Sequence, residues 1–412
     1  MAYIKHLKCL VCGREYQENE VMYTCPHCGN DGLLEVNYDY EKIKEVFTPN
    51  YLKNNDNFTM FRYLPLLPIN DYKKIGPLKV GFTPLYEVKN LREDLGVTGL
   101  FIKDDGRNPT ASLKDRASAV VAVKAQELGL KEITCASTGN AASSLAGATS
   151  SLGLKSYIFV PKNAPKAKIT QLLVFGATVF AVNGSYDEAF ELSIKATKEF
   201  GWYNRNTGFN PYTVEGKKTV ALEIAEQLNF DVPDYVFVSV GDGNIISGVY
   251  KGFLDLLELG FISKMPKLVA VQAEGCKPVV DAINGDGVIR PVVPTTIADS
   301  ISVGIPRSGI MAVNYVKKSE GFGISVSDSE ILYAIRYLGN KSGIFAEPAA
   351  AASFAGYLKS LKSKLVDKYD KVVVIITGNG LKDIENAIKS VNEPLFIEPN
   401  IEEVKKLINK IS

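Results

Sequence analysis

From about residue 99 the chain alternates short runs of β-branched residues with segments of helical periodicity, and that alternation admits few folds. Strand-sized apolar runs occupy 100–103, 132–136, 156–160, 178–182, 235–240, 268–272 and 372–376. Amphipathic stretches lie between them, at 116–128, 186–200, 217–228 and 327–338. Strands alternating with helices predict βαβ units and hence an α/β fold of open, mostly parallel sheets covered by helices. In such sheets ligands sit beyond the carboxyl ends of the strands, where the connecting loops open onto a crevice. Three loops of small residues fall at such ends, at 137–140, 241–248 and 377–380, and their shared position predicts one common site.

The bulk properties narrow the function. The 412 residues are enough for more than one domain. The 47 basic and 46 acidic residues sum to +1, so no global field gathers nucleic acid or anionic membrane. The amino terminus lacks the apolar core of a secretory signal, and no apolar run approaches membrane-spanning length. A cytoplasmic enzyme with no membrane or nucleic-acid partner is the expectation. The last segment, 401–411, reads as a lysine-rich amphipathic surface helix.

Four motifs carry chemistry. The first is Asn108-Pro109-Thr110-Ala111-Ser112-Leu113-Lys114-Asp115-Arg116. Asn-Pro and the small polar residues read as a turn, with Ser112 as helix N-cap, which places Lys114 in the first helical turn. The positive end of the helix dipole disfavours a cation there and, with burial, favours the neutral amine that imine chemistry needs. The second, Ala136-Ser137-Thr138-Gly139-Asn140-Ala141-Ala142, ends a strand and opens a helix, offering N–H groups and hydroxyls to an anion. The third, Val240-Gly241-Asp242-Gly243-Asn244-Ile245-Ile246-Ser247-Gly248, lets the backbone approach a phosphate closely. It lacks the third glycine of a dinucleotide fingerprint and the Lys-Ser/Thr of a Walker loop. The fourth, Ile376-Thr377-Gly378-Asn379-Gly380-Leu381-Lys382-Asp383, sets a hydroxyl at the end of the most apolar strand. An imine-forming lysine, a polar loop, a phosphate cradle and a hydroxyl are the contacts that pyridoxal 5′-phosphate requires.

These four motifs, in this order, resemble the fold-type-II pyridoxal-phosphate enzymes (tryptophan synthase β-like), and most closely the threonine synthases. The likeness runs from about Gly81 to Asp383, and the Thr377–Asp383 stretch is its most specific part. The resemblance implies that Lys114 holds the cofactor as an imine and, once displaced, moves protons as the catalytic base. It implies that Asn140 bonds the cofactor's ring oxygen. Backbone amides of Gly241, Gly243, Asn244 and Ile245 would bind the phosphate, and Thr377 would face the pyridine nitrogen. Ser137 and Thr138 would contact substrate. The implied reaction is O-phospho-L-homoserine plus water giving L-threonine plus phosphate. A homodimer, and a smaller mobile lobe of about 110–205 inserted in the larger domain, are likewise implied.

One position departs from the family. Threonine synthases commonly carry an arginine for the substrate phosphate in a segment like Asn210-Pro211-Tyr212-Thr213-Val214-Glu215-Gly216-Lys217, where this chain has Thr213. A dianionic leaving group needs cationic stabilisation, and Arg307, Arg205, Lys217 and Lys218 are the alternatives, with Arg307 and Lys217 the expected substrate contacts. The departure also keeps open β-replacement or dehydration by the same cofactor, as in cysteate synthase or serine/threonine dehydratase.

Residues 1–36 stand apart. Cys9-x2-Cys12 and Cys25-x2-Cys28 have zinc-ribbon spacing, which predicts a closed structural Zn2+ site in a small module ahead of the catalytic region at 37–412. The only histidines, His6 and His27, sit beside this cluster, so the main site has no histidine base. A zinc-ribbon nucleic-acid-binding protein is the non-enzyme alternative, opposed by the near-zero charge and the lack of a basic aromatic patch.

Overall fold

The computed structural model describes residues 2–164 and 166–411. The chain opens with a small antiparallel sheet of β1 (Ile4–Cys9), β2 (Glu15–Tyr16) and β3 (Leu34–Tyr38), in the order β2-β1-β3. Cys9 closes β1 and the second cysteine pair lies on the turns before β3, as a ribbon-like module requires. β3 continues to Tyr38, just past the expected module edge at 36.

Next come β4 (Leu85–Glu87), β5 (Gly99–Asp104), helix α1 (Lys114–Glu127), β6 (Glu132–Ala136) and α2 (Asn140–Ser151). β7 (Lys155–Pro161), β8 (Thr178–Val182), α3 (Tyr186–Phe200) and β9 (Tyr203–Asn204) follow. The chain then runs through α4 (Tyr212–Lys217), β10 (Tyr235–Ser239), α5 (Asn244–Glu258), β11 (Lys267–Ala273) and β12 (Phe322–Val326). It returns to the centre through α6 (Pro348–Lys362) and β13 (Lys371–Ile376). The larger sheet has the order β12-β11-β10-β13-β5-β4, parallel except for the edge strand β4. The smaller is the fully parallel β8-β7-β6-β9.

All seven expected strands form, and β4, β9 and β12 join them. The central strands β10 and β13 read as continuous apolar runs because helices cover both faces of the sheet. Val236, Phe237, Val238 and the run Val373 to Ile376 are fully buried. Burying each such side chain contributes roughly 1.5–3 kcal/mol, so these strands form part of the core that holds the sheet. The four-stranded sheet lies wholly within the 110–205 stretch expected as a separate lobe. No helix among the described residues is long and apolar enough to cross a membrane.

The amino-terminal module is docked on the catalytic region rather than tethered to it. Tyr23 stacks on Phe209 at 4.5 Å, and its hydroxyl accepts the N–H of Asn204 at 2.9 Å. Lys251 donates to the carbonyl of Val36 at 2.6 Å, and Tyr38 donates to Glu215 at 2.8 Å.

Helix α1 carries the chain from β5 of the larger sheet to β6 of the smaller. Arg116 on that helix donates through Nε to Asp105 Oδ2 at 2.6 Å and through Nη2 to Glu223 Oε2 at 2.8 Å. Lys103 reaches the same Glu223 oxygen at 2.7 Å. All four side chains have no solvent exposure, so each charge relies on the others for compensation. Arg116→Met would leave buried Asp105 without a cation, and Glu223 with Lys103 alone, and cost about 3–5 kcal/mol. A thermal or urea midpoint equal to the parent's would refute that account.

Candidate active site

The lysine loop is stitched to the end of the central strand. Ser112 forms a β-bridge with Gly378, Leu113 donates its N–H to Thr377 O at 2.9 Å, and Asn379 donates to Ala111 O at 3.0 Å. Ala111 takes a left-handed φ of +64°, a conformation that costs a residue with a Cβ about 1–2 kcal/mol. These cross-links hold the chain there and aim the next residues into the crevice. Ser112 therefore does not cap α1, as the sequence suggests it should. Leu113 occupies the cap position with no side-chain bond, and Ser112 is consumed by its pairing with Gly378. Asp115 ties the turn down instead, accepting from Thr110 N at 2.7 Å and Thr110 Oγ1 at 2.6 Å.

Lys114 is thus the first residue of α1 and lies on the wall of a cavity of about 750 Å³. Burial pushes its amine below the ordinary lysine range, opposed by the negative charges of Glu347 and Asp242. Desolvation wins because neither carboxylate pairs with the amine.

The three small-residue loops converge on this cavity. Ser137, Thr138 and Asn140, after β6, line one side. Gly241, Gly243 and Ile245, after β10, line the opposite side at the N-terminus of the 15-residue α5. Gly243 has a φ of +91°, and a Cβ there would come within 2.7 Å of Ser308 O, so only glycine leaves this cup open. Thr377, only 2% exposed, closes the floor at the end of β13. A lysine amine whose pKa is lowered by burial, a glycine cup at a helix N-terminus and a buried hydroxyl fit a phosphorylated pyridine aldehyde.

Asn244 differs from its neighbours. Its N–H donates to Asp242 Oδ1 at 3.0 Å, so serving a phosphate requires it to exchange that carboxylate. Lys217, expected to touch substrate, lies behind the wall. Its amine donates to Asn244 Oδ1 at 2.6 Å, and burial drives it well below the usual lysine range. Arg307 does reach the cavity, at the rim, where it pairs with Asp187 at 3.1 Å and lies over Phe190. Thr213 is fully buried and donates to Asn210 O at 2.8 Å.

Glu347 escaped the sequence reading. It precedes α6, is 2% exposed, and accepts from Asn140 Nδ2 at 2.8 Å. A Cβ on Gly378 would stand 2.4 Å from its Oε1, so the glycine beside Thr377 makes room for this carboxyl. Burial raises its pKa, with Lys114 opposing. The only signal was one acid, Ala346-Glu347-Pro348, at the head of an alanine run.

The sulfurs of Cys9, Cys12, Cys25 and Cys28 lie within 4.8 Å of one another, and Cys12 Sγ is 3.7 Å from Cys25 Sγ. Tetrahedral zinc with Zn–S bonds of ~2.3 Å sets sulfurs about 3.8 Å apart, so the cluster fits a closed metal site. Neither histidine lines the main cavity.

Comparison with known proteins agrees with this site. The family described as pyridoxal-phosphate dependent enzyme matches residues 77–378. The chain is 39% identical to a threonine synthase of Methanocaldococcus jannaschii over 407 residues, covering 98% of this chain and 99% of that protein. It is 38% identical to a threonine synthase of Methanosarcina acetivorans, covering 98% of each. Among solved structures it superposes on diaminopropionate ammonia lyase from Escherichia coli with a TM-score of 0.67 at 20% identity, covering 84% of this chain and 92% of that one. Threonine deaminase isoform 2 from Solanum lycopersicum gives a TM-score of 0.65 at 21% identity, covering 81% and 92%. These structural likenesses speak to the fold alone. With its lysine, glycine cup and strand-end threonine on one cavity, the chain belongs to the pyridoxal-phosphate dependent enzymes and, within them, to the threonine synthase family.

Proposed function

We propose that this chain converts O-phospho-L-homoserine and water into L-threonine and phosphate, with pyridoxal 5′-phosphate bound through Lys114. The observation that carries the reading is the depressed, unpaired amine of Lys114, facing a glycine cup in a threonine synthase sequence. The backbone N–H groups of Gly241, Gly243, Asn244 and Ile245 would hold the cofactor phosphate at the positive end of α5. Thr377 Oγ1 would meet the pyridine nitrogen, and Asn140, held by Glu347, would meet the ring oxygen. Ser137 and Thr138 would bind the substrate.

The bound cofactor supplies an electron sink that makes the substrate's Cα–H and then Cβ–H acidic. Protons must leave Cα and Cβ, phosphate must leave Cγ, and water must add at Cβ. Lys114 Nζ, free once substrate has displaced it, is the base within reach of both carbons. Burial keeps that amine able to accept a proton, and the half-enclosed cavity limits the water that competes for it. The 110–205 lobe is read as mobile, closing on substrate. The Arg307–Asp187 and Lys168–Asp299 pairs join that lobe to the 299–307 stretch outside it and would have to part if the lobe opens.

The Cys9, Cys12, Cys25 and Cys28 cluster would hold a structural zinc, leaving no coordination position for substrate. Reduced thiols in such a site suit the cytoplasm. A homodimer completes the reading, on family likeness.

The second reading, β-replacement or dehydration, is favoured by Thr213 alone. A substrate panel separates the two: the holoenzyme should release phosphate and threonine from O-phospho-L-homoserine, and little phosphate or keto acid from O-phospho-L-serine, L-serine or L-threonine. Borohydride reduction followed by peptide mapping should find the pyridoxyl group on Lys114, and Lys114→Ala should lose at least about a thousandfold in rate. A pyridoxyl group mapped to any other residue would overturn the assignment. Stripping the amino-terminal metal with a chelator should release one zinc per chain and lower the thermal midpoint. Protein purified with full thermal stability and no bound zinc would rule out the structural role.

A further inference from the structure

Arg205 follows β9, and its N–H donates to Thr134 O on the neighbouring strand β6 at 2.8 Å. Its side chain is 1% exposed and lines the cavity. Nε donates to Ser118 Oγ at 3.1 Å and Nη1 to Thr207 Oγ1 at 2.9 Å. Nη2 is buried with no hydrogen-bond partner. Asp242 and Asp115 act on this guanidinium only at longer range, and it forms no ion pair among the described residues. A buried guanidinium without a carboxylate is costly, because lost hydration is not replaced. Such a group on a cavity wall, with one N–H edge spare, is arranged to receive an anion.

The other cations are engaged elsewhere. Arg307 is at the rim and paired with Asp187, Lys217 is bonded to Asn244 off the wall, and Lys114 is the reactive amine. Thr213, where related enzymes commonly carry arginine, is buried and bonded to the backbone. We propose that Arg205, with Thr207, binds the phosphate of the substrate in place of that arginine. The guanidinium approaches from β9 instead of α4 and still offers a planar fork to the dianion. It stabilises the negative charge that the phosphate carries away when the Cγ–O bond breaks with its electron pair.

This inference rests on the threonine synthase reading, and the test separates the two. In the holoenzyme, Arg205→Gln should raise KM for O-phospho-L-homoserine, and the inhibition constant of inorganic phosphate, by about 10- to 100-fold, the loss expected of charge-assisted bonds. The cofactor's absorbance should not change. Arg205→Lys should fall between. If Arg205→Gln does not fold, Thr207→Ala should still raise both constants, by a smaller factor. Parental constants in Arg205→Gln, or in Thr207→Ala when it is the surviving variant, would overturn the assignment; so would an Arg307→Ala variant that carries the whole loss. A parent enzyme that releases no phosphate from O-phospho-L-homoserine would instead sink the threonine synthase reading, while phosphate binding would still report on Arg205.

Discussion

An amine that must be uncharged to react has to be kept from water without being given a carboxylate, and the proposed reading gives that task to Lys114, whose amine is lowered by burial at the cavity wall. Burial alone would let the side chain relax toward solvent. It is opposed by the bonds from the 111–113 segment to the loop after β13, which fix the start of α1 against a buried central strand. Behind it, the ion network of Arg116, Asp105, Glu223 and Lys103 anchors the same helix to β5. Reactivity at one atom thus depends on packing along a whole strand and helix.

The two parallel sheets divide the remaining work. Loops from the larger sheet supply the glycine cup and Thr377, and the smaller sheet supplies the 137–140 loop and Arg205. The proposed reading places substrate and cofactor in the crevice between them, because neither sheet alone supplies all the lining residues. Glu347 links the halves: it stands next to the Thr377 loop and grips Asn140 across the gap. A carboxyl in that place sets the orientation of the amide that would read the cofactor ring.

Local chemistry made most of the site legible before any coordinates. Gly243 and its neighbours read as a phosphate cup and do line the cavity at a helix N-terminus, and Lys114 reads as a residue at a helix start where a surface lysine is poorly placed. The long apolar runs became β10 and β13 because both faces of a parallel strand are covered. What stayed hidden depends on distant partners. Ser112 has the composition of a cap, and only the approach of Gly378 turns it into a bridge. Helix α6 is so rich in alanine that it shows no polar face, since it packs directly on the sheet where Gly356 meets Val271. β12 contains a glycine and a serine, and β9 has two residues, too few for a period to emerge. Lys217 looked available because nothing in its neighbourhood forecasts the amide of Asn244.

The docking of the ribbon has a consequence for how this enzyme is built. Glu215, Lys218 and Lys251 form a fully dry charge cluster, and Tyr38 and the carbonyl of Val36 supply part of its lid. Cutting the chain back to the shared catalytic span would uncap those charges and remove the ring that rests on Phe209. In this protein the first forty residues close a buried charge cluster of the main body, so the stretch matched by the family model shares part of its interior with the ribbon.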